Sequence, residues 1–197
     1  MSEELKKYAS LSVWCTLLVF IVRCSWSWKD IVALVNRLDI GEIFYGLFGY
    51  AGEAVGVSAF IMILFDRFAW KWPIVNLLHD RPILFSEYHG VFVSDYDHRE
   101  RKGTLRIRQT FLSLNIVFKT DESKSLSING EIIYGHGTPM LVYTYHNAPK
   151  AEIHEISPIH YGTAMLDISN TAHIEGNYFT GRGTRGSMSF DSCEDFN

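Results

Sequence analysis

Apolar residues run almost unbroken through 43–65, whereas from Leu84 onward polar and apolar residues alternate. The first pattern predicts a helix of membrane length and the second predicts strands. At about 1.5 Å per residue, 43–65 covers roughly 34 Å, enough to cross a hydrocarbon core of about 30 Å. Upstream, 8–22 is uncharged and largely apolar, and Arg23, Trp26 and Trp28 follow it. It reads as a first span over about 8–28, with Arg23 snorkelling and the tryptophans in the interfacial belt. A cleaved signal peptide is not expected, because 25–28 offers no small-x-small site. Between the spans, Ile31, Leu34, Val35 and Leu38 recur at helical spacing among charges, as in a short amphipathic connector. The expected division is a two-helix transmembrane region over 1–83 and a β domain over 84–197.

The second span contains one carboxylate, Glu53, and a face of small residues that includes Gly46, Gly49, Gly52, Gly56 and Ala59. Gly52 and Gly56 form GxxxG, which lets helix backbones approach closely, and an acid within a membrane needs a polar partner. Two readings stand. Gly49, Gly52, Glu53 and Gly56 form a contact with another protein surface, or the face packs on the first helix with Glu53 protonated. Lys6, Lys7, Arg67, Lys71 and Arg81 flank the side that carries both termini, against Lys29 and Arg37 opposite, so the termini are expected in the cytoplasm. Three cysteines at 15, 24 and 193 form no visible disulfide framework.

In the C-terminal part, residues 104–109 alternate polar and apolar almost without error, and so do 114–119, 140–147, 161–168 and 187–190. With 86–95, 124–134 and 171–179 this makes eight strands joined by short turns rich in Gly, Pro, Asn and Asp. Antiparallel strands of this number either leave two edges open or close on themselves. The expected fold is therefore a two-helix membrane hairpin followed by a small eight-stranded antiparallel β-barrel of lipocalin or streptavidin type, with a β-sandwich as the alternative. Such a barrel has an interior suited to side chains or one small ligand.

Charge and motifs narrow the chemistry. Residues 84–197 carry 10 basic and 14 acidic side chains, and the whole chain has a net charge of −4, so binding to DNA or RNA polymers is not expected. No G-x-S-x-G, H-E-x-x-H, P-loop or paired C-x-x-C is present, so neither an enzyme nor a cofactor is expected. His136, His146, His154 and His160 fit no zinc spacing, and no metal site is expected.

Binding residues are easier to find. The run G-R-G-T-R-G at 181–186 combines backbone N–H groups with guanidinium donors, including Arg182, Thr184 and Arg185. It suits a phosphate, and it equally suits a flexible hairpin turn. Tyr143, Tyr145 and Tyr178 share strand faces with Leu141 and Ile174 and so point inward, either to stack bases or to fill the barrel. Gln109, on the face of Leu105 and Ile107, and Asn147 are amides directed inward, where each needs a partner.

The stretches R-Q-T-F at 108–111, Y-T-Y-H-N-A-P-K at 143–150, H-Y-G-T-A at 160–164 and G-N-Y-F-T-G-R-G-T-R-G-S-M at 176–188 carry a resemblance that spans essentially the whole chain. The sequence resembles the two-transmembrane β-barrel effectors of bacterial cyclic-oligonucleotide anti-phage systems (CBASS). The resemblance implies a receptor in the bacterial inner membrane whose barrel binds a cyclic dinucleotide made by a cognate nucleotidyltransferase. It further implies that bound chains form a homo-oligomer, that their helices disrupt the bilayer, and that the infected cell dies before phage mature. On the matching positions, Arg182, Thr184 and Arg185 would hold phosphate. Tyr143, Tyr145 and Tyr178 would contact bases, and Gln109, Thr110 and Asn147 would supply hydrogen bonds. The competing expectation is a lipocalin-like, membrane-tethered carrier of a hydrophobic ligand, which requires a more apolar pocket.

Overall fold

A computed structural model of the chain describes residues 3–37, 40–77, 79, 81–135, 137–153 and 158–193. They fall into two compact units, Met1–Val75 and Asn76–Asn197.

The first unit contains α1 (Glu3–Trp26), α2 (Trp28–Asn36) and α3 (Ile40–Arg67), then a 3-10 turn and the start of α4 (Pro73–Asn76). Glu4–Trp26 and Ile40–Arg67 are each long and apolar enough to cross a membrane. The connector is helical as expected; its Leu38 and Asp39 lie outside the described residues. α1 and α3 run antiparallel, because Tyr8 OH donates to the Met62 carbonyl at 3.1 Å and Thr16 Oγ1 lies 2.7 Å from Ser58 Oγ.

The buried side of α3 consists of Ala54, Ser58 and Met62, spaced by four. Small residues there let the two backbones approach. Gly46, Gly49, Gly52 and Gly56 have no neighbouring atom within 4 Å of where a Cβ would sit. Gly49 lies roughly 180° around the helix from Ser58, so the glycine face is not the face that packs on α1. Glu53 does find its polar partner within the chain: Arg23 Nε lies 2.5 Å from Glu53 Oε2. Arg23 also donates to Ser27 Oγ, and its guanidinium sits 4.2 Å over the Tyr50 ring. The polar partner that Glu53 requires is thus the guanidinium of Arg23 on α1.

The second unit is a closed barrel of β1 (Glu87–Ser94), β2 (Glu100–Gln109), β3 (Leu114–Thr120), β4 (Ser123–Gly135), β5 (Thr138–Pro149), β6 (His160–Asp167), β7 (His173–Thr180) and β8 (Arg185–Ser192). Every strand pairs antiparallel with its chain neighbour, and β1 closes on β8 through pairs such as Phe92 with Met188. β2 begins before the alternation at Thr104 indicates, since its first residues are charged yet already paired with β1. The structure thus confirms the barrel and removes the sandwich.

One end of the barrel is filled. Tyr88, Leu105, Leu141, Leu166, Ile174 and Phe190 are fully buried there, and each such side chain contributes roughly 1.5–3 kcal/mol of transfer free energy. The segment before β1 caps this end, with Arg81 Nη1 donating to the Phe111 carbonyl at 2.5 Å and Tyr88 OH donating to the Thr171 carbonyl at 2.7 Å. The described residues of 76–83 cluster with the barrel unit.

Candidate ligand-binding site

The other end of the barrel opens into a cavity of about 510 Å³, within the range typical of small-molecule sites, roughly 300–1,000 Å³. Its wall mixes charged and polar side chains with Phe92, Phe118 and Met188, where the closed end is apolar, and it is made from inward strand positions together with residues of the loops at the mouth.

Two inward tyrosines shape the opening. Tyr145 pairs across the strands with Gly162, and Tyr178 pairs with Gly186. A Cβ at Gly162 would clash with the hydroxyl end of Tyr145 at 2.4 Å, and one at Gly186 would clash with the edge of the Tyr178 ring at 2.6 Å. Each ring thus lies along the wall over a bare backbone, which keeps the lumen open. Burial pushes the Tyr145 phenol up to about 12 and also raises Tyr178, so both hydroxyls stay protonated at neutral pH and can donate.

An arginine accompanies each tyrosine. Arg182, in the β7–β8 turn, acts electrostatically on Tyr145 and His160, and Arg101, on β2, acts on Tyr178. Arg182 is exposed and makes no hydrogen bond or ion pair among the described residues. Its turn is fixed by Gly183 at φ 82°, a left-handed conformation, and by Thr180 Oγ1 lying 2.7 Å from Thr184 Oγ1. Arg101 instead faces two acids, Asp97 and Glu122. His160 lines the same wall, and its pKa is lowered by burial and by Arg182, so the imidazole is neutral at pH 7.

Asn147 completes the polar lining. Its Nδ2 donates to Ser125 Oγ at 3.0 Å and to Ser123 Oγ at 3.2 Å. Its Oδ1 has no partner among the described residues.

The structure therefore divides the nine barrel candidates. Tyr145, Asn147, Tyr178, Arg182 and Thr184 all line the cavity. Tyr143 does not; it lies one inward step below Tyr145, is 2% exposed, and its hydroxyl has no partner among the described residues. Gln109 and Thr110 lie at the closed end. Gln109 accepts from Leu84 N and donates to the Pro82 carbonyl, both at 2.9 Å, and Thr110 Oγ1 accepts from Ser113 N at 3.0 Å to close a turn. Arg185 points outward and holds Asp95 through its backbone N–H at 3.0 Å and its Nε at 3.2 Å. These three act within the fold. Arg101, Asp97, Glu122 and His160 line the cavity without having been singled out as ligand contacts. Had β2 been extended by one further inward pair, the parity of Leu105 and Gly103 would have pointed to Arg101.

No three His, Cys, Asp or Glu side chains among the described residues stand close enough to hold a metal ion. His136 and His154, two of the histidines considered above, lie outside the described residues.

Comparison with known proteins supplies what geometry alone does not. A family profile described as "Cap15, cyclic dinucleotide receptor domain" matches residues 81–192, more than half of the chain and nearly all of the barrel unit. The chain belongs to the Cap15 family. Its barrel is that family's cyclic dinucleotide receptor domain. CD-NTase-associated protein 15 of Staphylococcus schleiferi is 31% identical over 196 residues, covering 95% of this chain and 97% of that protein. The protein of the same name from Yersinia aleksiciae is 36% identical over 170 residues, covering 82% of this chain and 73% of that protein. The match to the Staphylococcus protein extends through the helical unit as well. Among solved structures, a redesigned β-barrel covers 56% of the chain at 9% identity with a TM-score of 0.32, too distant to inform function.

Proposed function

We propose that the chain is a membrane-anchored CBASS effector. The open end of the barrel binds a cyclic dinucleotide made by a cognate nucleotidyltransferase. Bound chains associate through the outward glycine face of α3, at Gly49, Gly52 and Gly56, and the assembled helices disrupt the bacterial inner membrane, so the infected cell dies before phage mature. The hairpin spans that membrane twice, with both of its ends and the barrel in the cytoplasm.

The observation that carries this reading is the pairing of an arginine with an inward tyrosine on each side of one polar cavity. A cyclic dinucleotide presents two phosphates and two aromatic bases; guanidinium forks match the first and tyrosine rings the second. Thr184 and Asn147 supply hydrogen bonds at the rim and within. Phe92, Phe118 and Met188 also line this space, but a carrier of hydrophobic ligands would have no use for the Arg101, Arg182, Asp97 and Glu122 charges beside them.

The test uses the full chain in detergent and in vesicles. Cyclic di-AMP, cyclic di-GMP and cyclic GMP–AMP are titrated against it, and the apparent melting temperature is followed, since a ligand that binds only the folded state must raise it. At least one should stabilise the protein and cause dye leakage from vesicles. Arg182→Ala should weaken binding about tenfold or more, the scale of a lost charge-assisted hydrogen bond. Gly52→Leu should bind normally and fail to leak. If none of the three nucleotides stabilises the chain while extracted lipid does, the reading is wrong and the carrier replaces it.

A further inference from the structure

The two arginines of the cavity are in opposite states. Arg182 is unengaged among the described residues, whereas both terminal nitrogens of Arg101 are hydrogen-bonded to Asp97. Asp97 Oδ2 lies 2.5 Å from Arg101 Nη2 and Asp97 Oδ1 lies 3.0 Å from Nη1, a two-pronged contact. On the third side Arg101 Nε faces Glu122 Oε2 at 3.7 Å. This fork is the geometry with which arginine also holds a phosphate.

Asp97 lines the cavity from a loop rather than from a strand. It belongs to the link between β1 and β2, outside the strand ladder, beside His98 at φ 53°, a left-handed conformation unusual for histidine. Glu122 belongs to the short turn between β3 and β4. Both acids stand at the mouth, where water can receive them. The charged side chains lining the cavity are Arg101, Arg182, Asp97 and Glu122, so with His160 neutral its formal charge is zero. A ligand with two phosphates entering that space would face two carboxylates with only one arginine unengaged.

We infer that Arg101 is a second phosphate-binding residue of the cavity and that Asp97 occupies it as a tethered counter-ion, which the incoming phosphate displaces. The inference rests on the receptor reading above and adds a threshold to it. Every binding event must exchange a carboxylate for a phosphate, so Asp97 lowers the apparent affinity, and the loop that carries it changes position only when ligand is bound.

The experiment measures dissociation constants of the full chain in detergent for whichever of the three cyclic dinucleotides binds the unmodified protein most tightly. Arg101→Met should weaken binding about tenfold. Asp97→Asn should tighten it by roughly threefold, the scale of a partly exposed ion pair. In the Arg101→Met background that gain should vanish, which distinguishes competition for Arg101 from a role in loop folding. Glu122→Gln, on a different turn, should tighten binding in the same direction by less and serves if Asp97→Asn does not fold. Tight binding by Arg101→Met, or equal or weaker binding by both acid variants, overturns the inference while leaving the receptor intact. No binding by the unmodified chain removes the receptor reading and this inference together.

Discussion

At the closed end of the barrel the inward positions are Tyr88 on β1, Leu105 on β2, Leu141 on β5, Ile174 on β7 and Phe190 on β8. Toward the open end of the same strands they become Ser94, Arg101, Asn147, Thr180 and Thr184, the last in the turn leading into β8. The ladder of β8, β1 and β2 runs through both ends, while β4 shifts register against β5 between Ser127 and Asn129, so on β1, β2 and β8 the difference is one of side chains. Stability is concentrated where the lumen is packed, and the other end is thereby free to keep charges and unfilled space that would be costly in a core. Aromatic contacts link the two: Phe118 lies edge-on to Phe190 with centroids 5.6 Å apart and to Phe92 at 5.5 Å, and Phe92 lies edge-on to Tyr178 at 6.3 Å.

The sharpest way to break the comparison is at its packed end. Phe190→Ala should destabilise the barrel by about 3–5 kcal/mol in urea unfolding, as large-to-small core changes do, whereas Arg182→Ala should stay within about 0.5 kcal/mol. A comparable loss from both would mean that the mouth also carries the fold.

A smaller effect is expected at the wall itself. Gly162→Ala should cost about 1–3 kcal/mol, because the new methyl must drive the Tyr145 ring into the lumen, and it should weaken cyclic dinucleotide binding in calorimetry. Adding Tyr145→Ala should not restore stability, because the Phe179 carbonyl oxygen also lies 2.7 Å from the new methyl. Smaller again is Tyr143→Phe. Removing a buried hydroxyl without a described partner should leave stability unchanged or raise it by up to about 1 kcal/mol, and affinity should not change if Tyr143 lies below the ligand.

The smallest effect is titration of the mouth. The pKa of His160 is lowered in the folded protein, so folding favours the neutral ring, and its contribution to stability is present above the unfolded value and lost as pH falls through the folded one. The same protonation adds a cation beside Arg182. Between about pH 7.5 and 5.5, affinity for a cyclic dinucleotide should rise by about twofold while the His160 contribution to stability falls, against the opposite contribution of His173, whose pKa is raised by Asp191; His160→Gln should remove the first part alone. Asp97 is held at about 2, chiefly by its hydrogen bond to Arg101, and so does not titrate in that window.

These ends also mark where sequence was informative. Alternation is a property of the extended backbone, so strand number, inward faces and the inward tyrosines were legible before any coordinates. Depth along the barrel was not. Gln109 and Arg101 share one face of β2, yet eight residues separate them, roughly 27 Å along the strand, and they serve opposite ends. Parity alone cannot tell a plug residue from a pocket residue. Arg185 shows the reverse limit, because one step from Thr184 turns it outward to Asp95. Arg101 stayed hidden because the charged run Glu100, Arg101 and Lys102 has no apolar rhythm from which a strand could be read. In α3, small residues occur on two faces, and only the position of α1 separates the Ala54 and Ser58 seam from the glycines.

The ion pair inside the helical hairpin bears on how the two helices would respond to a membrane potential. Arg23 and Glu53 cancel within a single chain, so within a bilayer this pair adds no net gating charge at that depth on which the transmembrane voltage could pull. A voltage across such a bilayer would therefore do no net work on the pair if the hairpin moved as one body.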